Sequence, residues 1–380
     1  MSSSSITGLD PATAQGIGLQ IIDGRIAAIN AAALTEGPYL SAGLIDLQVN
    51  GFRGLDLNDD TLTPDRVIAL TEMMHGLGVT TYLPTLITAS RRSYLSALEA
   101  ISTARRMDTR VAHSIPFVHV EGPFISPEDG PRGAHPQQHV RSPDLDEVAE
   151  WQRASGNLVG KITLSPHYPG SPEFIRALTG QGILVAIGHT AATPDQIHAA
   201  VDSGARLSTH LGNGAAAMLP RHPNFIWAQL ADDRLISAFI ADGFHLPADT
   251  LKAMIRAKGL DRSILVSDIA ALGGMPPGIY EQPIGGRVNV SADGCLTVAG
   301  TPYLAGAGLP LRNTIALAIG AAGISLAEAL QLSTSNPGRL VGGRGRIAVG
   351  EPADLILFDW EEGAKALTIR KTLLAGKTTP

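Results

Sequence analysis

Eight short, nearly continuous apolar runs alternate with amphipathic stretches through the middle of this chain, and this alternation constrains the fold more than any other feature. Strands buried on both faces have such apolar runs, and strands that alternate with helices form parallel sheets. Eight repeats over about 300 residues predict a (β/α)8 barrel. The predicted strands are residues 43–50, 80–87, 114–122, 157–166, 183–190, 206–211, 236–242 and 263–269.

An open, doubly wound sheet is the alternative α/β architecture. Such a sheet collects its ligand-binding residues in one crevice, where the strand order reverses. Here polar residues follow the ends of six predicted strands. A TIM-like barrel, in which every strand delivers its carboxyl end to one face, accounts better for that spread.

Capping residues mark helices between the strands. Thr63 and Thr193 each precede a proline and an aspartate, which is typical of a helix N-terminus. Gly78 and Gly204 follow at the distances where those helices should end, and Ser325 is placed to cap a later helix.

The two ends of the chain do not follow the barrel rhythm. Residues 17–30 predict a hairpin that turns at Asp23 and Gly24. We expect residues 1–41 and 341–380 to form one small β-sandwich domain outside a barrel of residues 42–340. Further short strands are predicted at 345–350, 353–359 and 368–374, and a β-rich insertion with a turn at 293–294 is predicted at 277–300.

Composition restricts the class of protein. With 380 residues and a formal charge of −6, the chain has room for a large core and lacks the basic balance of a nucleic-acid binder. No apolar run approaches the ~18 residues that a membrane-spanning helix needs, and the start does not resemble a secretory signal. Cys295 is the single cysteine, so no internal disulfide can form, and we expect a cytoplasmic enzyme.

Side chains that bind metals or carry protons end several of the predicted strands. Glu121 lies two residues after His119 near the end of the third strand, His189 and His210 end the fifth and sixth, and Asp268 ends the eighth. One carboxylate and two imidazoles suffice to hold a catalytic Zn²⁺ with a position open for water. Fe²⁺, Mn²⁺ and Co²⁺ also accept these ligands. Asp268 is then placed to take a proton from that water and return it to the leaving nitrogen.

The chain resembles the amidohydrolase superfamily and, within it, the N-acetylglucosamine-6-phosphate deacetylases. The similarity is carried by an ordered set of short motifs spread over most of the chain. They lie at residues 43–51, 83–88, 119–124, 133–135, 188–189, 209–213, 241–245, 266–268, 304–306 and 345–354.

The resemblance implies one divalent metal per chain, with Zn²⁺ as the expected ion. Many members of the superfamily open with a His-x-His pair that helps to build a two-metal centre, and here Gln48 and Asn50 replace it. The implied ligands are Glu121, His189 and His210, with Gln48 and Asn50 beside them.

The resemblance also implies a sugar-phosphate site shared by the two subunits of a homodimer. His135 is expected to contact the sugar and to assist catalysis at the acetyl carbonyl. Arg221 and His245 are expected to reach the phosphate in the neighbouring subunit's site. The remaining implied substrate contacts are Ala134, Asn213, Gly214, Leu304, Ala305 and Gly306.

Two stretches depart from the family pattern. The loop at 212–224 keeps Arg221 at its usual distance from His210 but changes the residues around it. Arg53 stands where the family has a small residue, either as an extra anion contact or as an exposed surface charge.

Three functions are consistent with the sequence. The first is hydrolysis of N-acetylglucosamine 6-phosphate to glucosamine 6-phosphate and acetate. The second is hydrolysis of an unphosphorylated N-acyl sugar or another amide. The third is an inactive sugar-binding barrel, which retention of Asp268 with the three metal ligands disfavours. A small-molecule substrate is expected in each case, with no nucleic-acid or membrane partner.

Overall fold

A computed structural model describes residues 2–282 and 286–379. Eight parallel strands form one sheet in which each strand pairs with the strand that follows it in the chain. Because the order never reverses, there is no switch-point crevice, and the doubly wound alternative is wrong. The eight strands are Leu44–Val49, Val79–Ile87, Val118–Glu121, Val159–Leu164, Leu184–Ile187, Leu207–Ser208, Ile236–Ile240 and Ser263–Val266.

The sheet curves round until its first and last strands meet. Val49 forms a parallel bridge with Ile269, and the backbone N–H of Asn50 donates to the Ile269 carbonyl at 2.9 Å. Ile269 also bridges Ala307, which brings the segment after the insertion back to the barrel mouth. The predicted barrel is therefore confirmed.

Side chains alternate between the barrel interior and the helix layer. On the third strand, Val118 and Val120 belong to the large apolar cluster between strands and helices. His119 and Glu121 are also buried but point to the opposite face, as the two-residue period of a strand requires. This geometry sends the polar residues into the barrel and toward its mouth.

Helices cover the outside of the barrel. Thr63 and Thr193 cap their helices as predicted, and the second forms a full capping box with Gln196. Ser114 was expected to begin the third strand but is the last residue of a helix, and the strand begins only at Val118. The α-helices are Pro64–Gly76, Arg91–Met107, Thr109–Ser114, Leu145–Ser155, Ser171–Gly180, Pro194–Asp202, Phe225–Ala231, Ala248–Lys258, Leu311–Ala318, Leu326–Gln331 and Ser335–Gly338, with 3-10 turns at Gln137–His139 and Leu260–Arg262 and a π-turn at Ile319–Gly323.

A second sheet combines strands from both ends of the chain. The hairpin of residues 17–30 is confirmed, and its turn residues Asp23 and Gly24 have φ of 47° and 79°, the left-handed values that such a tight turn requires. The domain extent of 1–41 and 341–380 stays a prediction, and residues 1 and 380 lie outside the described part. In spatial order the seven strands are Lys377–Thr378, Thr368–Leu374, Leu355–Asp359, Tyr39–Ala42, Ser3–Leu9, Gly16–Ile22 and Arg25–Ala31.

The insertion after the eighth strand is a three-stranded antiparallel sheet of Gly278–Gln282, Gly286–Val290 and Leu296–Val298, and residues 283–285 of the predicted insertion lie outside the described part. A two-stranded ribbon, Gly51–Phe52 with Leu55–Asp56, follows the first barrel strand. Within the described ranges, no helix combines the length and apolarity that crossing a bilayer demands.

Candidate active site

Three predicted ligand residues converge at the barrel mouth. Glu121, His189 and His210 are all buried, and their donor atoms lie within 4.8 Å of one another. The Nε2 atoms of the two histidines are 3.1 Å apart, and they lie 3.5 and 3.1 Å from the Glu121 carboxylate oxygen Oε1. Three separate barrel strands thus bring one carboxylate oxygen and two imidazole nitrogens to a single point.

Backbone strain accompanies this convergence. His189, His210 and Asp268 each follow the end of a strand and have φ of 48°, 26° and 52°. Residues with a Cβ atom avoid this left-handed region, and such outliers are concentrated at functional sites. The barrel fold holds these three side chains in directions that a regular strand end would not give.

The hydrogen bonding of His189 suits a metal ligand. Its Nδ1 lies 2.9 Å from the carbonyl oxygen of Pro131, which can only accept, so Nδ1 carries the proton. The lone pair of Nε2 therefore points at the cluster. Two nitrogen lone pairs and a carboxylate this close together repel unless a proton or a cation lies between them, and the donor set matches a divalent metal site.

Charge within the cluster favours the ionised carboxylate. Burial raises the pKa of Glu121, but the attraction between its carboxylate and the adjacent rings of His189 and His210 outweighs burial and holds the pKa well below its usual range. Burial lowers the pKa of His210, but the bond to Glu121 reverses this and raises it overall. The amide of Gln48 donates to Glu121 at 3.0 Å from a fully buried position, so it orients the carboxylate from beneath.

Asp268 faces the cluster from the other side of the cavity. The amide of Asn50 donates to its Oδ1 at 2.8 Å, so Asn50 supports the carboxylate of Asp268, whereas the resemblance had set it beside the ligands. Burial, followed by the negative charge of Glu121, raises the pKa of Asp268. A raised pKa suits a carboxylate that must take a proton and give it back.

His135 is held as a neutral hydrogen-bond donor. Its Nδ1 accepts from the backbone N–H of Thr88 at 3.3 Å and lies 2.8 Å from the Thr88 hydroxyl. The neutral ring therefore carries its proton on Nε2. Burial keeps the pKa of His135 well below its usual value, and its ring lies 4.2 Å from that of His189, centre to centre.

His245 belongs to the cavity of its own chain. Its Nδ1 donates to the buried carboxylate of Asp242 at 2.7 Å, and its ring lines the same cavity as Asp268. The loop after the seventh strand turns the side chain toward this cavity, and the expected contact of His245 with a neighbouring subunit's site stays a prediction. Two backbone N–H groups, of Phe244 and His245, also donate to Asp242 and fix this turn.

The cavity that joins these groups has a volume of about 300 Å³. Of the predicted residues outside the metal cluster, it contains Ala134, His135, Asn213, Gly214, His245, Asp268, Leu304, Ala305, Gly306 and Asn50. The sequence reasoning missed Asp56, Asn58 and Gln282, which also line it. Asp56 and Asn58 are polar residues in the loop that follows the first strand, which ends at Val49, and this was a signal in the sequence, whereas nothing in the sequence places the insertion residue Gln282 here.

Three other residues that the sequence indicated as functional candidates lie outside the cavity wall. Arg221 is exposed on the loop after the sixth strand. Gln48 lies beneath the cluster, as does His119, which is fully buried between the hydroxyls of Thr85 and Thr163 at 3.1 and 2.8 Å. His119 is thus part of the polar interior and does not join the three ligands.

Comparisons with known proteins agree with this geometry. The model of the amidohydrolase family matches residues 39–379. The N-acetylglucosamine-6-phosphate deacetylase of Bos taurus is 34% identical over 90% of this chain and 83% of its own length. The N-acetylgalactosamine-6-phosphate deacetylase of Escherichia coli O157:H7 is 30% identical over 90% of both chains.

Solved structures show the same relationship. An aspartate-to-alanine mutant of the N-acetyl-D-glucosamine-6-phosphate deacetylase of Mycobacterium smegmatis, in complex with N-acetyl-D-glucosamine-6-phosphate, superposes with a TM-score of 0.88, 27% identity and full coverage of both chains. The corresponding enzyme of Thermotoga maritima gives 0.85 at 25% identity, covering 99% of both chains. The chain belongs to the amidohydrolase family and, within it, to the N-acetylglucosamine-6-phosphate deacetylases.

Proposed function

We propose that this protein is a metal-dependent deacetylase that hydrolyses the N-acetyl group of an amino-sugar 6-phosphate, with N-acetylglucosamine 6-phosphate as the first candidate. The observation that carries the proposal is the cluster of Glu121, His189 and His210, which faces Asp268 across one cavity. A sugar-binding barrel without activity would need neither the ligand set nor the carboxylate. Curated relatives of both amino-sugar configurations support the substrate class.

We propose a single divalent cation per chain, with Zn²⁺ as the first candidate, bound by Glu121, His189 and His210. When bound, the cation supplies Lewis-acid polarisation of the amide and lowers the pKa of water. Gln48 and Asn50, which replace a pair of imidazoles, are already hydrogen bonded to Glu121 and Asp268, respectively. Their amide oxygens are weaker metal ligands than the imidazoles that they replace, which supports a single ion.

Side chains of the protein itself transfer the protons and stabilise the negative charge that develops in the reaction. The carboxylate of Asp268 accepts a proton from the attacking water, and the bond from Asn50 keeps it in position. The Nε2–H of His135 is available to donate to the acetyl oxygen as negative charge develops there. Asp268 then gives its proton to the sugar nitrogen, so that the C–N bond breaks to release a neutral amine and acetic acid, which loses its remaining proton to solvent to become acetate.

We propose that the phosphate is bound by His245 and by the loop of Asn213 and Gly214, which share the cavity. Arg221 lies outside this wall, so its proposed contact is with the site of a partner subunit in a homodimer. Exposed apolar side chains flank it in sequence, with Met218 87% and Trp227 55% exposed. A surface of this kind is typical of an interface between subunits.

The reducing environment expected for a chain with one free cysteine, Cys295, supports a cytoplasmic location. We therefore propose that the substrate is an intracellular sugar phosphate.

The decisive experiment is an assay of the metal-loaded protein against N-acetylglucosamine and N-acetylgalactosamine, each with and without the 6-phosphate. We expect release of acetate from a phosphorylated sugar, with kcat/KM well above that for its unphosphorylated form. Equal turnover of both forms would favour the hydrolase of unphosphorylated amides. The absence of acetate release at full metal occupancy would favour an inactive barrel.

A further inference from the structure

A second and larger cavity lies beside the active site and is lined by three cationic side chains that bind no carboxylate. Its volume is about 1040 Å³, and the cations in its wall are Arg53, Arg312 and Lys365. Among the described residues, none of the three forms an ion pair or a side-chain hydrogen bond. We propose that this cavity binds a small phosphate monoester, separately from the catalytic site.

Arg312 is the most informative of the three. It is half-buried, and its Nε is shielded from solvent without a hydrogen-bond partner in the described part of the chain. An unpaired guanidinium N–H away from water costs free energy that a bound anion would recover. Burial, then the charge of Arg53, lowers the pKa of Arg312, which agrees with two like charges held near each other.

Arg53 is fixed in place by the backbone. Its φ is 47°, its N–H donates to the carbonyl of Gly273 at 2.9 Å, and its guanidinium lies 5.5 Å from the centre of the Phe52 ring. The first two features fix the backbone of Arg53, and the contact with Phe52 holds its exposed guanidinium beside the cavity. The guanidinium is therefore presented to the cavity as a planar donor, which suits the oxygens of a phosphate.

A helix N-terminus adds to the positive field. The helix Leu311–Ala318 begins at the cavity wall, and its N-cap, Pro310, offers no side-chain cap for the free N–H groups of the first turn. Free N–H groups and the helix dipole favour a phosphate at this position. This helix N-terminus adds to the evidence from the two arginines, and it would not identify an anion site without them.

The two acidic residues in the wall already have partners. Asp242 accepts from His245, and Asp293 accepts from the hydroxyl of Ser291. The three cations outnumber these two carboxylates, and in the described part of the chain neither carboxylate forms an ion pair with Arg53, Arg312 or Lys365. The rest of the wall is mainly apolar and includes Phe52, Met73, Leu77, Phe244 and Leu309, which favours a phosphate ester with a hydrophobic group over the inorganic ion.

The two cavities are distinct but share structural elements. Asp242 borders the second cavity and holds His245, which faces the first. Leu304–Gly306 line the active site and Gly308–Pro310 line the second cavity. Arg312 follows Leu304–Gly306 closely in the chain, so an anion bound to Arg312 would lie on the same segment as proposed substrate contacts.

Calorimetric titration of the full-length, metal-loaded protein with phenyl phosphate and with inorganic phosphate tests the inference. We expect phenyl phosphate to bind more tightly than inorganic phosphate. Arg312→Gln should weaken this binding about tenfold or more, the usual effect of losing a charged hydrogen bond. Arg53→Gln, an exposed substitution that should not disturb folding, should weaken it in the same direction. Arg256→Gln, at an exposed arginine outside both cavities, is the matched control and should bind normally.

His245→Asn separates the two cavities. Binding that survives in His245→Asn and disappears in Arg312→Gln supports the second site. Binding that is lost only in His245→Asn means that the phosphate occupies the active-site cavity, and the inference is then wrong. The inference is also wrong if the two arginine variants bind phenyl phosphate as the wild type does. If these variants change only the sedimentation coefficient, the cations contribute to a contact between subunits and the inference is again wrong.

Discussion

A few individual side chains determine what this barrel can do, and Asp268 is the one through which the proposed protons pass. It is held by Asn50 at 2.8 Å, and its pKa is raised by burial and by the charge of Glu121. It is not one of the three clustered ligand residues, so we expect metal binding and folding to survive the loss of its proton.

Asp268→Asn should therefore abolish the proton transfer and leave the site otherwise formed. The amide has the same shape but cannot accept and return a proton, so we expect kcat to fall about 10²–10⁴-fold. Steady-state kinetics would measure the loss, with metal content and melting temperature as controls. Near-normal kcat at full metal occupancy would place the proton transfer at another residue.

Gly214 supports the metal cluster without binding the metal. It has φ of 57°, and a Cβ atom there would lie 2.8 Å from Nδ1 of His189. Gly214→Ala should push the ring of His189 away from Glu121 and weaken metal retention, because a ligand displaced by a few tenths of an ångström no longer fits the ion. Metal released to a competing chelator would measure the change.

Gly156→Ala is the matched control for that substitution. Gly156 has a similar φ of 69° but has open space where the Cβ atom would lie. Both variants carry the same backbone strain, and only the first contacts His189. If both lose metal equally, or neither does, the proposed steric effect on His189 is absent.

The elements of secondary structure were easier to predict than the site that they carry. The eight strands could be located because each is a buried apolar run, and the helix starts because Thr63 and Thr193 are local capping signals. The left-handed conformations of His189 and His210 are imposed by the closed barrel and leave no local signal. The same holds for Gln282, which reaches the cavity only through tertiary packing of the insertion.

One helix end depends on a buried lysine. The ammonium group of Lys258 donates to the carbonyls of Gln229 and Asp232 at 2.9 and 2.7 Å, at the C-terminus of the helix Phe225–Ala231. Burial lowers the pKa of Lys258 to about 8, so it remains charged at neutral pH. It thereby satisfies carbonyl groups that the helix leaves without partners.

Lys258→Met should destabilise the protein at pH 7, because both carbonyls lose their donor while the volume is kept. We expect the free energy of unfolding to fall by about 2–4 kcal/mol, measured by chemical denaturation. Arg256→Met, on the same helix but exposed, should change it little. Equal effects of the two substitutions would show that general helix packing, and not the two hydrogen bonds, is responsible.

In the whole molecule, the barrel and the terminal sheet meet around His75. Its carbonyl accepts a hydrogen bond from the Thr372 hydroxyl at 2.8 Å, which connects the first barrel helix to the second sheet. Its buried ring bonds to Ser114 through Nε2 at 2.8 Å, and its Nδ1 has no partner among the described residues. A second proton on this ring would therefore have no hydrogen-bond acceptor.

Burial, followed by the charge of Arg110, lowers the pKa of His75 from 6.5 to about 4. Between these values the unfolded chain binds a proton at His75 and the folded protein does not, so stability falls as the pH decreases through this window. The contribution is about 3 kcal/mol between pH 7 and pH 4.

Denaturant titrations of the wild type and of His75→Asn at these two pH values measure this contribution. Between pH 7 and pH 4, the wild type should lose about 3 kcal/mol more of its unfolding free energy than His75→Asn does. His198→Asn, on an exposed helix face, controls for the loss of a histidine. A difference between wild type and His75→Asn that does not change with pH would mean that His75 is protonated as easily in the folded protein as in the unfolded chain.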